Sequence, residues 1–215
     1  MLPETRLTSQ ITHGAMGTVM THKAFGLGAE ESLKAVRTEL ARIEGLLSRF
    51  LPGSDVSRVN GWAGIRCEKV SADTFDVLSE AVEFSRDFPG CFDVTIQPLV
   101  TLWHAAQQSA AEPDAASIEQ ALPLVNYRDL MLDPWEMTAG LANPGQSVDL
   151  GGIGKGFAGD RIVEIYRAHR ISSAYSNLGG NVITVGARPD GTPWQIGIQH
   201  PREDNRLIGA VSVMD

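Results

Sequence analysis

The stretch "SVDLGGIGKGFAGD" (147–160) holds five glycines, one lysine and two aspartates in fourteen positions. Glycines let a ligand approach the backbone closely. A helix starting at such a loop presents free N–H groups, which favour anionic oxygens. Lys155 adds a mobile positive charge at the same point. Asp149 can accept hydrogen bonds from a base or a sugar, or neutralise Lys155. The combination suits a nucleotide phosphate, with or without a metal. A tight strand-to-helix turn without any ligand would use the same glycines.

Two standard motifs compete for this loop. A P-loop needs GxxxxGK[ST], and here Gly156 rather than a hydroxyl residue follows Lys155, so that motif is excluded. Gly154, Gly156 and Gly159 do satisfy GxGxxG between an expected strand and an expected helix. Against a dinucleotide fold, the next strand ends in Ser176 and Asn177, with no acid for a ribose hydroxyl. The remaining chain reads as a β meander, not as further βαβ units.

The 215 residues suit one domain, and 43% hydrophobic residues allow an ordinary core. A net charge of −8 argues against nucleic acid as a partner. It leaves room for one small phosphate compound held by backbone N–H groups. Cys67 and Cys91 make no framework and are expected as free, mostly buried thiols. The five histidines show no zinc spacing. No signal peptide or transmembrane segment is legible, so the chain as given is expected to be soluble, and cytoplasmic if complete.

Several elements must position the loop. Residues 18–26 read as a strand. Residues 28–50 read as a helix, with Leu33, Val36, Leu40, Ile43, Leu47 and Phe50 forming one apolar stripe. Residues 51–64 read as a turn-rich loop, and 71–90 as a helix capped by Ser71 and stopped by Pro89-Gly90. Residues 91–97 read as strand-like, with a short helix opening at Pro98 and another over 110–125. Strands are expected at 127–133 and 147–150, a helix at 156–170, and four short strands after it. The expected class is α+β, with helices packed on an antiparallel sheet. The chain stops directly after an apolar strand, which suggests truncation.

Read together, six ordered segments between residues 15 and 202 resemble the ApbE family, the FAD:protein FMN transferases. They are "AMGTVM" (15–20), "LLSRFLPGSDVSRVN" (46–60), "GCFDVTIQPLVTLW" (90–103), "VDLGGIGKGFAGD" (148–160), "NLGGNV" (177–182) and "PDGTPWQIGIQHPR" (189–202). The resemblance implies an ApbE-like, T-fold-like domain. It implies FAD as donor, magnesium as metal, and transfer of FMN to a Thr or Ser of an acceptor flavoprotein with release of AMP. Met16 would contact the flavin, and Phe50 would stand where the family often has a tyrosine against the isoalloxazine. Cys91, Phe92 and Asp93 would line the nucleotide. Asp149 would bind the adenine end, Lys155 would meet the bound nucleotide, and the Gly152 carbonyl would be a metal ligand. Family members are often periplasmic or membrane-anchored.

Bland roles stand beside these. Phe50 and Trp103 also suit core positions, and Asp93 could cap the helix near Pro98. Ser57-Arg58-Val59-Asn60 could be a structural clasp. Asn177 with Gly179-Gly180 could simply build a hairpin. The family pattern continues with a T-S-G block, an H-x-[IV]-D-P-x-[TS]-G block and an Asp/Thr pair at the metal. None of these occurs here, so the expectation is a single domain lacking its C-terminal part, with catalytic residues unassigned. The rival readings are an FAD-binding or flavin-trafficking protein, an FAD pyrophosphatase without transfer, and an NAD-type oxidoreductase.

Overall fold

The computed structural model describes residues 7–108 and 111–214. The first half of the chain runs β1 (Thr8–Ala15), β2 (Thr18–Phe25), α1 (Ala29–Leu47), α2 (Asp55–Gly61), β3 (Glu68–Lys69), α3 (Ala72–Asp87) and α4 (Gln97–Gln108). The second half runs α5 (Ala115–Ala121), β4 (Leu130–Asp133), β5 (Thr138–Leu141), α6 (Gly154–Ala168), β6 (Ser173–Leu178), β7 (Asn181–Val185), β8 (Trp194–Gln199) and β9 (Leu207–Val213). These elements fall into two compact units. One takes the described residues up to Ile43 and those from Lys155 onward; the other is Glu44–Gly154.

In the first unit an antiparallel sheet has the order β1-β2-β6-β7. Its long-range pairing sets Met20 opposite Leu178 and Ala24 opposite Ala174. Met20, His22 and Ala24 are fully buried, as are Ala174, Ser176 and Leu178, so one face of the sheet is a core face. α6 lies on that face. Its Ala158, Ile162 and Tyr166 are buried, and the Tyr166 hydroxyl pairs with Ser176 Oγ of β6 at 2.9 Å. Gly159 leaves room for β7, because a Cβ there would sit 3.0 Å from Ile183. The third glycine of GxGxxG therefore serves helix–sheet packing. The sheet's antiparallel order removes the dinucleotide reading, which needs parallel βαβ units.

The four expected C-terminal strands are present. They pair as two hairpins in different sheets, β6 with β7 and β8 with β9. β1 went unread because "TSQITHGA" is polar. It is an edge strand of its sheet, and its side chains alternate between exposed and half-buried up to the buried Ala15.

In the second unit, β3-β5-β4 form a small antiparallel sheet against which α2 and α3 pack. α2 lies inside the expected loop 51–64. Its turn-like residues are its cap: Ser54 Oγ accepts the Ser57 N–H at 3.0 Å. Ser71 caps α3 as expected, accepting from the Thr74 N–H. β5, "TAGL", contains residues that rarely build strands. Its Gly140 is required by proximity, since a Cβ would meet Cys67 Sγ at 2.6 Å. The expected helix 110–125 begins at a residue outside the described set; the observed helix is α5, capped by Asp114. Among the described residues no helix is long and apolar enough to cross a membrane.

Candidate functional site

The glycine loop is entered through residues 147–150, expected as a strand and found without a ladder partner. The alternation that suggested a strand is real: Val148 and Leu150 are buried and Asp149 is half-buried between them. A side chain takes the place of a neighbouring strand. Asn60 Nδ2 donates to the Val148 carbonyl at 3.0 Å, and Asn60 Oδ1 accepts the Val148 N–H at 2.8 Å. The next N–H, of Asp149, donates to the Val94 carbonyl at 2.9 Å. Backbone groups that a sheet would satisfy are thus satisfied one by one.

Asp149 is held at both oxygens. Oδ1 accepts the Gly151 N–H at 2.7 Å, and Oδ2 stands 3.3 Å from Arg49 Nε. The Arg49 guanidinium carbon also lies 3.9 Å from the centroid of the Phe50 ring, a cation–π distance. Phe50 was expected to complete the α1 stripe. The helix ends at Leu47, and Phe50 is 74% exposed, so it is not a core residue. One ring face is covered by Arg49, and the aromatic surface is otherwise largely open. Trp103, also a candidate core aromatic, is 49% exposed.

Residues 91–97 were expected as strand-like; 91–96 form turns leading into α4, which begins at Gln97. Asp93 Oδ1 accepts the backbone N–H and the hydroxyl of Thr95 at 2.8 and 2.6 Å. Its Oδ2 accepts the Tyr127 N–H at 3.0 Å, and Thr95 Oγ1 accepts the Asn126 N–H at 2.8 Å. Asp93 therefore ties two loops together and is not a helix cap for α4. Phe92 stands edge-on to Phe84, and its ring packs on the backbone at Gly152, where a Cβ would come within 3.0 Å. Cys91 is exposed at the turn. Cys67 is exposed too, so both thiols are free but neither is buried as expected.

The clasp reading of residues 57–60 holds. Arg58 donates to the Gly53 and Lys69 carbonyls at 2.8 and 2.7 Å and to Asp55 Oδ1 at 2.8 Å. Asp55 also accepts from the Ser71 N–H and the Thr74 hydroxyl, both at 2.7 Å. Burial alone would raise the Asp55 pKa; these hydrogen bonds outweigh it and hold the carboxyl below its ordinary 3.8.

Two candidates belong to the other unit. Met16 and Gly17 form the two-residue turn between β1 and β2, with φ of 49° and 72°. Positive φ at both positions suits a hairpin whose strands twist normally, but it strains a methionine. The β6–β7 turn, Gly179-Gly180, stands beside it: a Cβ on Gly179 would collide with Thr18. Asn177 Oδ1 accepts the Gly180 N–H at 2.6 Å, as the hairpin reading of these residues requires. Lys155 is the second residue of α6, in its first turn, and is half-buried.

Of the candidate residues, Phe50, Cys91, Phe92, Asp93, Asp149 and Gly152 thus share one unit. There, Asp149 is linked to Phe50 through Arg49, and Phe92 contacts Gly152. Two site-building residues were missed, Arg49 and Asn60. Arg49 had a weak signal, a cation beside an aromatic in a turn; Asn60 was visible within the clasp pattern. Among the described residues no group of three or more His, Cys, Asp or Glu is placed to hold a metal.

The sequence pattern that defines the ApbE family matches residues 16–215. The chain belongs to the ApbE family. It is 34% identical over 175 residues to an FAD:protein FMN transferase of Klebsiella pneumoniae, covering 81% of this chain and 54% of that protein. An FAD:protein FMN transferase of Treponema pallidum is 31% identical, over 79% of this chain and 51% of its own length. The chain therefore spans about half the length of these curated relatives. Among solved structures, the ApbE protein of Thermotoga maritima superposes with a TM-score of 0.87 at 25% identity, over 97% of this chain and 68% of that one. The flavinyl transferase ApbE of Pseudomonas stutzeri, in its apo form, gives 0.79 at 28%, over 95% and 66%. The ApbE fold is thus an α+β arrangement of helices and antiparallel sheets, as expected from the sequence.

Proposed function

We propose that this ApbE chain carries the flavin-nucleotide site of an FAD:protein FMN transferase. The observation that carries the reading is the glycine loop. It presents Asp149, fixed at both oxygens, beside the open Phe50 ring, and it runs directly into the first turn of α6 at Lys155. In this reading the isoalloxazine stacks on Phe50. The adenine end is received by Asp149. Cys91, Phe92 and Asp93 line the nucleotide, Asp93 chiefly by holding its two loops in place. Lys155 and the helix N-terminus face the pyrophosphate oxygens, whose charge must be balanced during phosphoryl transfer.

The reaction attaches a Thr or Ser hydroxyl oxygen of an acceptor flavoprotein to the FMN phosphorus. The bond from that phosphorus to the AMP oxygen breaks, and the hydroxyl proton is matched by protonation of AMP. Magnesium belongs to the reading, with the Gly152 carbonyl as one hard oxygen ligand. Among the described residues no group of three or more His, Cys, Asp or Glu is placed to complete its shell, and a hard cation there would help to balance the pyrophosphate charge. In this reading the whole chain works as one ApbE-like domain.

The test is incubation of the protein with FAD, magnesium and an acceptor flavoprotein. AMP release together with a Thr or Ser heavier by FMN minus water supports transfer. FMN and AMP without acceptor modification would make the protein a pyrophosphatase. Bound FAD without turnover would make it a flavin-binding or flavin-trafficking protein.

A further inference from the structure

We infer that Arg49 is a positioning residue of the FAD site, locking the Phe50 ring and the Asp149 carboxylate into one fixed arrangement. The inference rests on the functional reading above. Arg49 makes both contacts at once: its guanidinium carbon is 3.9 Å from the Phe50 ring centroid and its Nε is 3.3 Å from Asp149 Oδ2. A guanidinium does this well because it is planar and carries donors at its edge; an ammonium has no flat face to lay along the ring.

Each partner needs the help. Phe50 lies outside any helix or strand and is 74% exposed, so packing alone does little to fix its ring. Asp149 has Oδ1 committed to Gly151 N–H, and Arg49 fixes the plane of the carboxylate through Oδ2. Enough lone pairs remain for a donor group of a base. Fixing both groups beforehand lowers the ordering cost that ligand binding must meet. The pair itself is partly exposed, 21% and 20%, and such pairs add little to stability. Binding and stability should therefore separate on substitution.

The experiment measures FAD affinity, the visible circular dichroism of bound flavin, and the melting temperature of the protein. Arg49→Met is expected to weaken FAD about 10-fold by releasing both groups and to alter the dichroism, with melting changed by no more than about 2 °C. Arg49→Lys is expected to recover part of the affinity but not the dichroism. In a Phe50→Leu, Asp149→Asn background, Arg49→Met should weaken FAD by no more than about 2-fold, since nothing remains to be positioned. Unchanged affinity and dichroism in Arg49→Met would overturn the inference, as would full rescue of both by lysine. Absence of FAD binding by the unsubstituted protein overturns the functional reading, and this inference with it.

Discussion

Asn60 and Val148, 88 residues apart, exchange two hydrogen bonds through one side-chain amide, at 3.0 and 2.8 Å. The amide stands in for a strand and fixes the entry to the glycine loop. Asn60→Asp keeps the acceptor but turns an anionic oxygen toward the Val148 carbonyl. The expected loss is about 2–3 kcal/mol of stability, read from urea midpoints. Amide exchange at Val148 should accelerate. Unchanged exchange there would show that the loop entry is held by other means.

His22 sits fully buried on β2, with Nδ1 2.9 Å from Ser176 Oγ, which also pairs with the Tyr166 hydroxyl. Burial first, then the nearby His13, lower its pKa from 6.5 to about 4. The folded state therefore binds fewer protons than the unfolded state between those values. Stability should fall as pH drops from about 6.5 to about 4, by about 2–3 kcal/mol in total. His22→Gln should flatten that part of the profile in urea titrations at pH 7 and 4.5. An identical slope in the variant would locate the loss elsewhere.

Asp55 should shape a lower limb of the same profile. Its folded pKa lies below 3.8, so its contribution is complete above that value and fades as pH falls through the depressed one. Asp55→Asn loses the charged acceptor used by Ser71, Thr74 and Arg58, and should cost about 2–3 kcal/mol at pH 7. The variant should show a shallower acid limb below pH 3.8 while keeping the His22 limb above it.

The long elements were legible because their signals are local. α1 keeps its stripe from Leu33 to Leu47, all buried, and α3 keeps its Ser71 cap. The misreadings have a common cause: a tertiary partner decided the local state. Residues 147–150 alternate like a strand, but an asparagine rather than a strand completes their hydrogen bonds. β5 carries no strand signal of its own, and its Gly140 is there because a side chain would meet Cys67. At the site, residue types announced Asp149 and Lys155. Nothing local announced that Arg49 reaches both Phe50 and Asp149, because that pairing spans 100 positions and exists only after folding.

Gly152 and Phe92 offer the most direct test of the loop's shape. A Cβ on Gly152 would stand 3.0 Å from Phe92 Cε2, closer than a side chain tolerates without a shift. Phe92 is itself held edge-on against Phe84, with ring centroids 5.4 Å apart, so the ring cannot retreat freely. Gly152→Ala should cost about 1 kcal/mol and Gly152→Val about 2–3 kcal/mol, by overpacking. Phe92→Leu removes the obstructing edge, so the double variant Gly152→Val with Phe92→Leu should lose at least about 0.5 kcal/mol less than the two changes summed. Chemical denaturation of the four proteins measures this coupling. Strict additivity would mean that the ring does not shape the loop, and that glycine is needed at 152 for the ligand's approach alone.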